Sequence, residues 1–284
     1  MSLPQAQAPL PAPTPAMMAL PANACDAHVH LVGHDFPLWE KRVEDPAPGD
    51  LADYLAVYRR HLDTLGFGRG VIVHSILHGA DNAVTAAAVA AMGDGFKGIG
   101  LVSDGASEAD LDRLVASNIK GVRLNYVHGG VLSWEGAKRL APALAERGLH
   151  IEMLAHAHLH LAELAEDVRA LPVEIVFDHM AWPDQTHPDA AKGMETLARL
   201  LSEEKCWCKL SAPYRFTDTP EPLFRQLLDA NSARCLWGSD WPHLMLNGVA
   251  QPDAGELLNN FLSATDAGEQ ARVFSDNPAR LYGF

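Results

Sequence analysis

The chain has 284 residues, 48% of them hydrophobic, enough to bury a large core in either one barrel or two domains. Its formal charge of −14 and pI near 5.4 argue against a nucleic acid or an anionic membrane surface as the main partner, so any anionic ligand needs a local basic pocket. Four cysteines, Cys25, Cys206, Cys208 and Cys235, form no CxxC pair and read as reduced thiols of a cytoplasmic protein.

Residues 1–23, "MSLPQAQAPLPAPTPAMMALPAN", read as a disordered Pro- and Ala-rich leader. The segment lacks Lys or Arg ahead of its apolar part and is broken by prolines throughout, which argues against a signal peptide. No stretch has the apolar length needed to cross a bilayer.

From residue 24 to 284 strand-like and helix-like patterns alternate without a linker. The apolar run "ACDAHVHL" (24–31) predicts the first strand, followed by a helix over 51–65 whose stripe of Leu51, Tyr54, Leu55, Tyr58, Leu62 and Leu65 ends at Gly66. "RGVIVHS" (69–75) and the alanine-rich 83–92 form the second unit. "KGIGLVS" (97–103) and "KGVRLNY" (120–126) begin the third and fourth, "HIEMLAH" (150–156) and "VEIVFDHM" (173–180) the fifth and sixth. "CWCKLSA" (206–212) and "RCLWGSDW" (234–241) begin the last two, and each strand is trailed by a helical pattern. Eight such units predict a single-domain (β/α)8 barrel, and no Gly-rich G-x-G-x-x-G turn supports a doubly wound sheet.

In such a barrel chemistry gathers at the C-terminal ends of the strands. His28 and His30 end strand one, Ser75 ends strand two, Arg123 and Asn125 lie late in strand four, His179 ends strand six and Asp240 ends strand eight. Any one of these has a structural explanation, such as capping a helix or satisfying a loop, but all of them would converge on one mouth. "CWC" reads as an alternating barrel strand, His158 and His160 as solvated side chains, Asp81 and Asn82 as helix caps, and Trp182 and Trp241 as pocket walls or structural residues.

"DAHVH", "FDHMAWPD" (177–184) and "LWGSDWPH" (236–243), with "HGADN", "KGVRLNY" and "KLSAPYRF", resemble the amidohydrolase superfamily. Within it the likeness is to the branch of 2-pyrone-4,6-dicarboxylate lactonase and sugar-acid lactonases, and it extends from about residue 24 to the closing "NPARLYGF". The resemblance implies a lactone hydrolase. Asp240 would be the general base that activates water, and His28, His30 and His179 would surround the carbonyl or the water. Arg123 and Arg215 match positions that bind substrate carboxylate, with Ser75 and Tyr126 adding neutral hydrogen bonds.

The same groups offer an alternative use. His28, His30, His179 and Asp240, with His156 as a further candidate, suit one Zn²⁺ or Mn²⁺. A binuclear site of the superfamily kind needs a strand-four lysine, and this chain has Val122, Arg123, Leu124 and Asn125 there. The expectation is therefore no required cofactor and a small anionic lactone or its hydroxy acid as ligand, with a homo-oligomer left open. "VHGG" (127–130) lacks the second cation that relatives acting on the pyrone dicarboxylate carry, and only His128 stands near that place. This raises a sugar-acid lactone beside the dicarboxylate. The alternatives are a metal-dependent decarboxylase or hydrolase, a lactone isomerase, and a non-catalytic small-acid binding protein.

Overall fold

A computed structural model describes residues 3–284. Its strands are β1 (Cys25–Val29), β2 (Arg69–Val73), β3 (Phe96–Gly100), β4 (Ile119–Asn125), β5 (His150–Leu154), β6 (Ile175–Phe177), β7 (Trp207–Ser211) and β8 (Cys235–Gly238). Between and after them lie α1 (Leu51–Leu65), α2 (Ala83–Met92), α3 (Glu108–Ala116), α4 (Trp134–Glu146) and α5 (Ala157–Ala170). The rest are α6 (Ala190–Ser202), α7 (Glu221–Asn231), α8 (Ala254–Ser263), α9 (Ala267–Ala271) and α10 (Asn277–Tyr282). The strands pair in parallel in sequence order, β1 to β8. Past the ends of β8 and β1 the ring is drawn together by Asp240 N–H donating to the His28 carbonyl (2.9 Å) and His30 N–H to the Trp241 carbonyl (2.7 Å). The expected (β/α)8 barrel is the fold.

Most apolar side chains sit between strands and helices. Cys25, Ala27, Val71, Val73, Ile99, Val176, Trp207 and Leu236 form a second, inner cluster with Tyr282 from α10. Phe284 lies beneath Arg69 and Lys97, so the C-terminal segment stoppers the N-terminal end of the barrel. Chemistry is left the opposite end. All four cysteines are free and buried. No helix among the described residues is long and apolar enough to cross a membrane.

The leader has little regular structure, as its composition implies, yet from residue 3 it is held to the barrel rather than free. Ala6 N–H donates to the Asp45 carbonyl and Asp45 N–H to that of Pro4, both at 2.8 Å. Thr14 donates its amide and hydroxyl to Asp253, the N-cap of α8, and His61 donates to the Leu10 carbonyl. Gly255 admits this strap, because a Cβ there would run into the Thr14 carbonyl. Prolines restrict the unfolded leader too, so docking it costs less conformational entropy than its length suggests. Composition alone did not register these partners, and residues 1 and 2 lie outside the described part.

Candidate active site

Simple alternation along β1 would not by itself aim both histidines inward. Cys25 and Ala27 belong to the inner cluster, whereas Asp26 faces outward and accepts a hydrogen bond from Tyr58 of α1 at 3.3 Å. The β1–β2 register then shifts between Asp26 and Val29. Such an irregularity re-aims the residues after it, and His28 and His30 come to share a face with their Nε2 atoms 3.3 Å apart. Gly238 of β8 makes room for this turn of the chain. A Cβ on Gly238 would stand 2.5 Å from the Cβ of His28.

Asp240 meets them from β8, and its two oxygens do different things. Oδ2 accepts from the Tyr214 hydroxyl (2.6 Å) and from Arg215 Nε (3.1 Å) and NH2 (2.8 Å). Oδ1 faces three imidazoles instead, 3.5 Å from His30 Nε2, 3.7 Å from His28 Nε2 and 3.9 Å from His179 Nε2. Behind it, Asp26 accepts from the amide (2.9 Å) and hydroxyl (2.6 Å) of Ser239, which fixes the peptide leading into Asp240. Burial works to raise the Asp240 pKa, but Arg215 and the histidines outweigh it and hold the group well below the ordinary carboxylate range. The carboxylate is ionised and has one oxygen to spare.

His179 arrives by an unusual backbone path. His179, Met180, Ala181 and Trp182 all have positive φ (53°, 55°, 54° and 37°), a left-handed turn without a glycine. Each such residue costs on the order of 1–2 kcal/mol, so neighbouring packing must offset the strain. Met180 and Ala181 are fully buried, and His179 Nδ1 shares a 2.8 Å hydrogen bond with Ser211 of β7. The turn also sets Trp182 against His179, His156 and the Arg215 guanidinium. Nothing in "FDHMAW" announces such a turn, and β6 ends at Phe177 rather than at Met180.

Beneath the histidines lies a fully buried set of charges to which the sequence reading assigned no role. Lys209 of β7 contacts Glu152 of β5 at 2.5 Å, His28 Nδ1 at 3.2 Å and Asp178 Oδ1 at 3.5 Å. Asp178 in turn stands 3.2 Å from His28 Nδ1 and 3.7 Å from Arg123 Nε. The signal was present as a lone charge inside each of two apolar strands, "HIEML" and "WCKLS". Buried charges are rarely left unpaired.

The remaining expected residues divide. Arg123 points into this group, donating to the His74 carbonyl at 3.2 Å and leaving Nε without a hydrogen-bond partner. Ser75 is buried at the end of β2, and its Oγ accepts from Leu77 N–H. Tyr126 is not part of the group, because its hydroxyl donates to Glu163 on α5 at 2.8 Å. It follows Asn125 on the opposite face of the chain, a consequence of strand alternation. Arg215 belongs to the site, but as the partner of Asp240: its remaining contacts go to the carbonyls of Leu244 (2.9 Å) and Met245 (3.2 Å), leaving one of its five N–H groups free for a ligand. His156 donates to the Trp182 carbonyl at 3.1 Å. Among the described residues the trios with metal-ligand spacing are His28, His30, Asp240 and His28, Asp178, His179, and neither includes His156. Trp241 packs on Tyr54, Tyr58 and His61 as a structural residue.

Burial keeps several of these imidazoles neutral. The pKa is pushed down to about 3 for His28 and His74 and about 4 for His179 and His243. In the unfolded chain the same groups protonate near 6.5, so between that pH and 3–4 the unfolded state binds protons that the folded state refuses. Stability therefore falls as pH drops through this window. Asp26, raised by burial to about 6, and Glu44, also raised by burial, act in the opposite sense, two groups against these four. A thermal midpoint followed by circular dichroism is expected to decline steadily from pH 7 to pH 4.5. An unchanged midpoint over that range would mean that the histidines are charged in the fold.

A barrel with two histidines at the end of β1, a histidine after β6 and an aspartate after β8 is the frame of a metal- or acid-base-assisted hydrolase. The amidohydrolase family model matches residues 25–284, and the chain belongs to that family. It is 32% identical to a 2-pyrone-4,6-dicarboxylate hydrolase of Comamonas testosteroni, over 95% of this chain and 93% of that protein. Identity is also 32% to a 4-sulfomuconolactone hydrolase of Rhizobium radiobacter, over 99% of this chain and 97% of that one. Among solved structures, a probable 2-pyrone-4,6-dicarboxylic acid hydrolase of Acinetobacter baumannii with citric acid bound shares the fold. Its TM-score is 0.80 at 23% identity, covering 92% of this chain and 100% of that one.

Proposed function

We propose that this protein is a lactonase that opens a carboxylated lactone with a water molecule activated by Asp240. The observation that carries the reading is the division of labour within that carboxylate: Oδ2 is saturated by Tyr214 and Arg215, while Oδ1 faces His28, His30 and His179. A water seated at Oδ1 would give up a proton to it while attacking the ring carbonyl. An imidazole N–H beside the same point, that of His28 Nε2 foremost, would stabilise the oxyanion in a site from which bulk water is largely excluded. Collapse of the tetrahedral intermediate breaks the acyl–oxygen bond of the ring, and the proton held by Asp240 passes to the departing oxygen. The product is a hydroxy acid, and Asp240 is regenerated.

Arg123 is our candidate for the substrate carboxylate, since its pairing with Asp178 at 3.7 Å is looser than that of Arg215 with Asp240 at 2.8 Å and most of its donors lack a hydrogen-bond partner, and Ser75 is our candidate for a neutral contact. With Arg215 committed to Asp240, one anchored carboxylate suffices, a requirement that both a pyrone carboxylate and a sugar-acid lactone meet. The relatives that act on a pyrone dicarboxylate and on a sulfonated lactone support an anionic ring. The thiols suit a reducing, cytoplasmic setting.

We further propose that no metal is required. His28, His30 and Asp240 have the spacing for one divalent ion, since ligand atoms around zinc stand about 3.3 Å apart when each bond is roughly 2.0–2.1 Å. An ion there would act as a Lewis acid and lower the pKa of water. The fit fails on charge and on protons. Arg123, Lys209 and Arg215 already balance Asp178, Glu152 and Asp240, and His28 accepts at Nδ1 from an ammonium, which leaves its hydrogen on Nε2. A pH-indicator screen of carboxylated lactones beside uncharged rings of equal size, run with and without chelator, tests both readings. Acid release from the carboxylated rings alone, unchanged by exhaustive chelation, is expected. Binding without turnover across the panel would make the protein a small-acid binder, and activity lost to chelator and restored by zinc or manganese would make the same groups metal ligands.

A further inference from the structure

Lys209 is fully buried inside the barrel, and the hydrolysis above gives it no step. Its ammonium, paired with Glu152, carries hydrogens and no lone pair, so in the 3.2 Å bond to His28 the ring nitrogen Nδ1 must be the acceptor. A neutral imidazole that accepts at Nδ1 bears its hydrogen on Nε2. That Nε2–H points at His30 Nε2, 3.3 Å away, and His30 donates its own Nδ1–H to the Val73 carbonyl at 2.8 Å. The row has a pure donor at one end and a pure acceptor at the other, so every proton in it has one place.

A competing arrangement is built into the same spot. Asp178 Oδ1 also lies 3.2 Å from His28 Nδ1, but without hydrogen-bond geometry, and neither Asp178 oxygen has a hydrogen-bond partner. If His28 donated to Asp178, its Nε2 would expose a lone pair beside His30 Nε2 and Asp240 Oδ1. A carboxylate behind the imidazole is the usual backing of a metal-binding histidine. Lysine behind it is the opposite.

We propose that Lys209 is a positioning residue that holds His28 as the Nε2–H tautomer, so that the nitrogen facing the site is a hydrogen-bond donor, passed from His30 to the reacting carbonyl when substrate binds, instead of a metal ligand. The inference deepens the lactonase reading and rests on it for the role of the donor. Two measurements test it without reading turnover, so failure here is separable from failure of that reading. In the wild-type protein with ¹⁵N-labelled histidine side chains, the His28 signals, assigned by their loss in His28→Gln, are expected to show a protonated Nε2 and a bare Nδ1. A protonated Nδ1 would overturn the proposal.

The second measurement is zinc content after equilibration with zinc and desalting. Wild type is expected to keep well under one zinc per chain. The paired variant Lys209→Met, Glu152→Gln removes both partners of the buried ion pair together, frees His28 to donate to Asp178, and is expected to bind zinc about tenfold or more tighter, approaching one per chain. Adding His28→Asn should abolish that gain. Stoichiometric zinc in the wild type, or no gain in a variant whose circular dichroism shows it folded, would overturn the proposal. Should the variant not fold, the wild-type tautomer decides.

Discussion

Asp240→Asn is expected to lower kcat on a carboxylated lactone by on the order of 10³-fold, within the ~10²–10⁴ that a positioned general base supplies. The structure makes this an unusually clean substitution. The amide oxygen can take the place of Oδ2 and still accept from Tyr214 and Arg215, while the NH2 group turned toward the histidines cannot take a proton. Folding and ligand affinity should therefore persist, which a melting curve and product binding by calorimetry would check. Near-normal turnover by the folded variant would remove Asp240 from the base role.

The second large effect separates the two arginines, whose sequence contexts look alike. Arg123 is proposed to hold a substrate group whose charge does not change as the ring opens, so its contact would help ground and transition states alike. Arg123→Met is expected to raise KM about ten- to a hundredfold with little change in kcat, as loss of a charged hydrogen bond of about 1.5–3 kcal/mol implies. An uncharged lactone of equal ring size should be nearly indifferent to the same change. Arg215 instead pairs with Asp240, the proposed base, and depresses its pKa. Arg215→Met should lower kcat by on the order of 10²-fold for charged and uncharged rings alike, at similar KM. It should also move the acid limb of the pH–rate profile upward, because only the histidines then oppose the effect of burial on Asp240. If Arg215→Met changed only KM, and only for the charged ring, it would be the substrate clamp after all.

The exchange of roles at Arg215 shows where reading the chain stops. Which residues end strands could be read from periodicity, and that put His28, His30, Arg123, His179 and Asp240 at one mouth. Which way each side chain points depends on features without a local signature. The register shift in β1 turns His28 inward, and four left-handed residues carry His179 and Trp182. Alternation sent Tyr126 to the helix side, a consequence that strand parity would have revealed. Lys209 and Glu152 were visible as lone charges in apolar strands, but they are 57 residues apart, and only closure of the barrel makes them partners. The docking of the leader was not legible for a similar reason: its partners Asp45, Asp253 and Asn259 belong to distant parts of the chain.

The central claim is that Asp240 removes a proton from water and forms no bond to the substrate. A single turnover in H₂¹⁸O, with enzyme in excess over lactone and mass spectrometry of both the product and the peptide containing Asp240, tests it most directly. The account predicts one ¹⁸O in the new carboxylate of the product, none in its hydroxyl, and an unlabelled peptide. An unlabelled first product with ¹⁸O in Asp240 would mean that the aspartate attacks the carbonyl itself, and the account of an activated water would be contradicted.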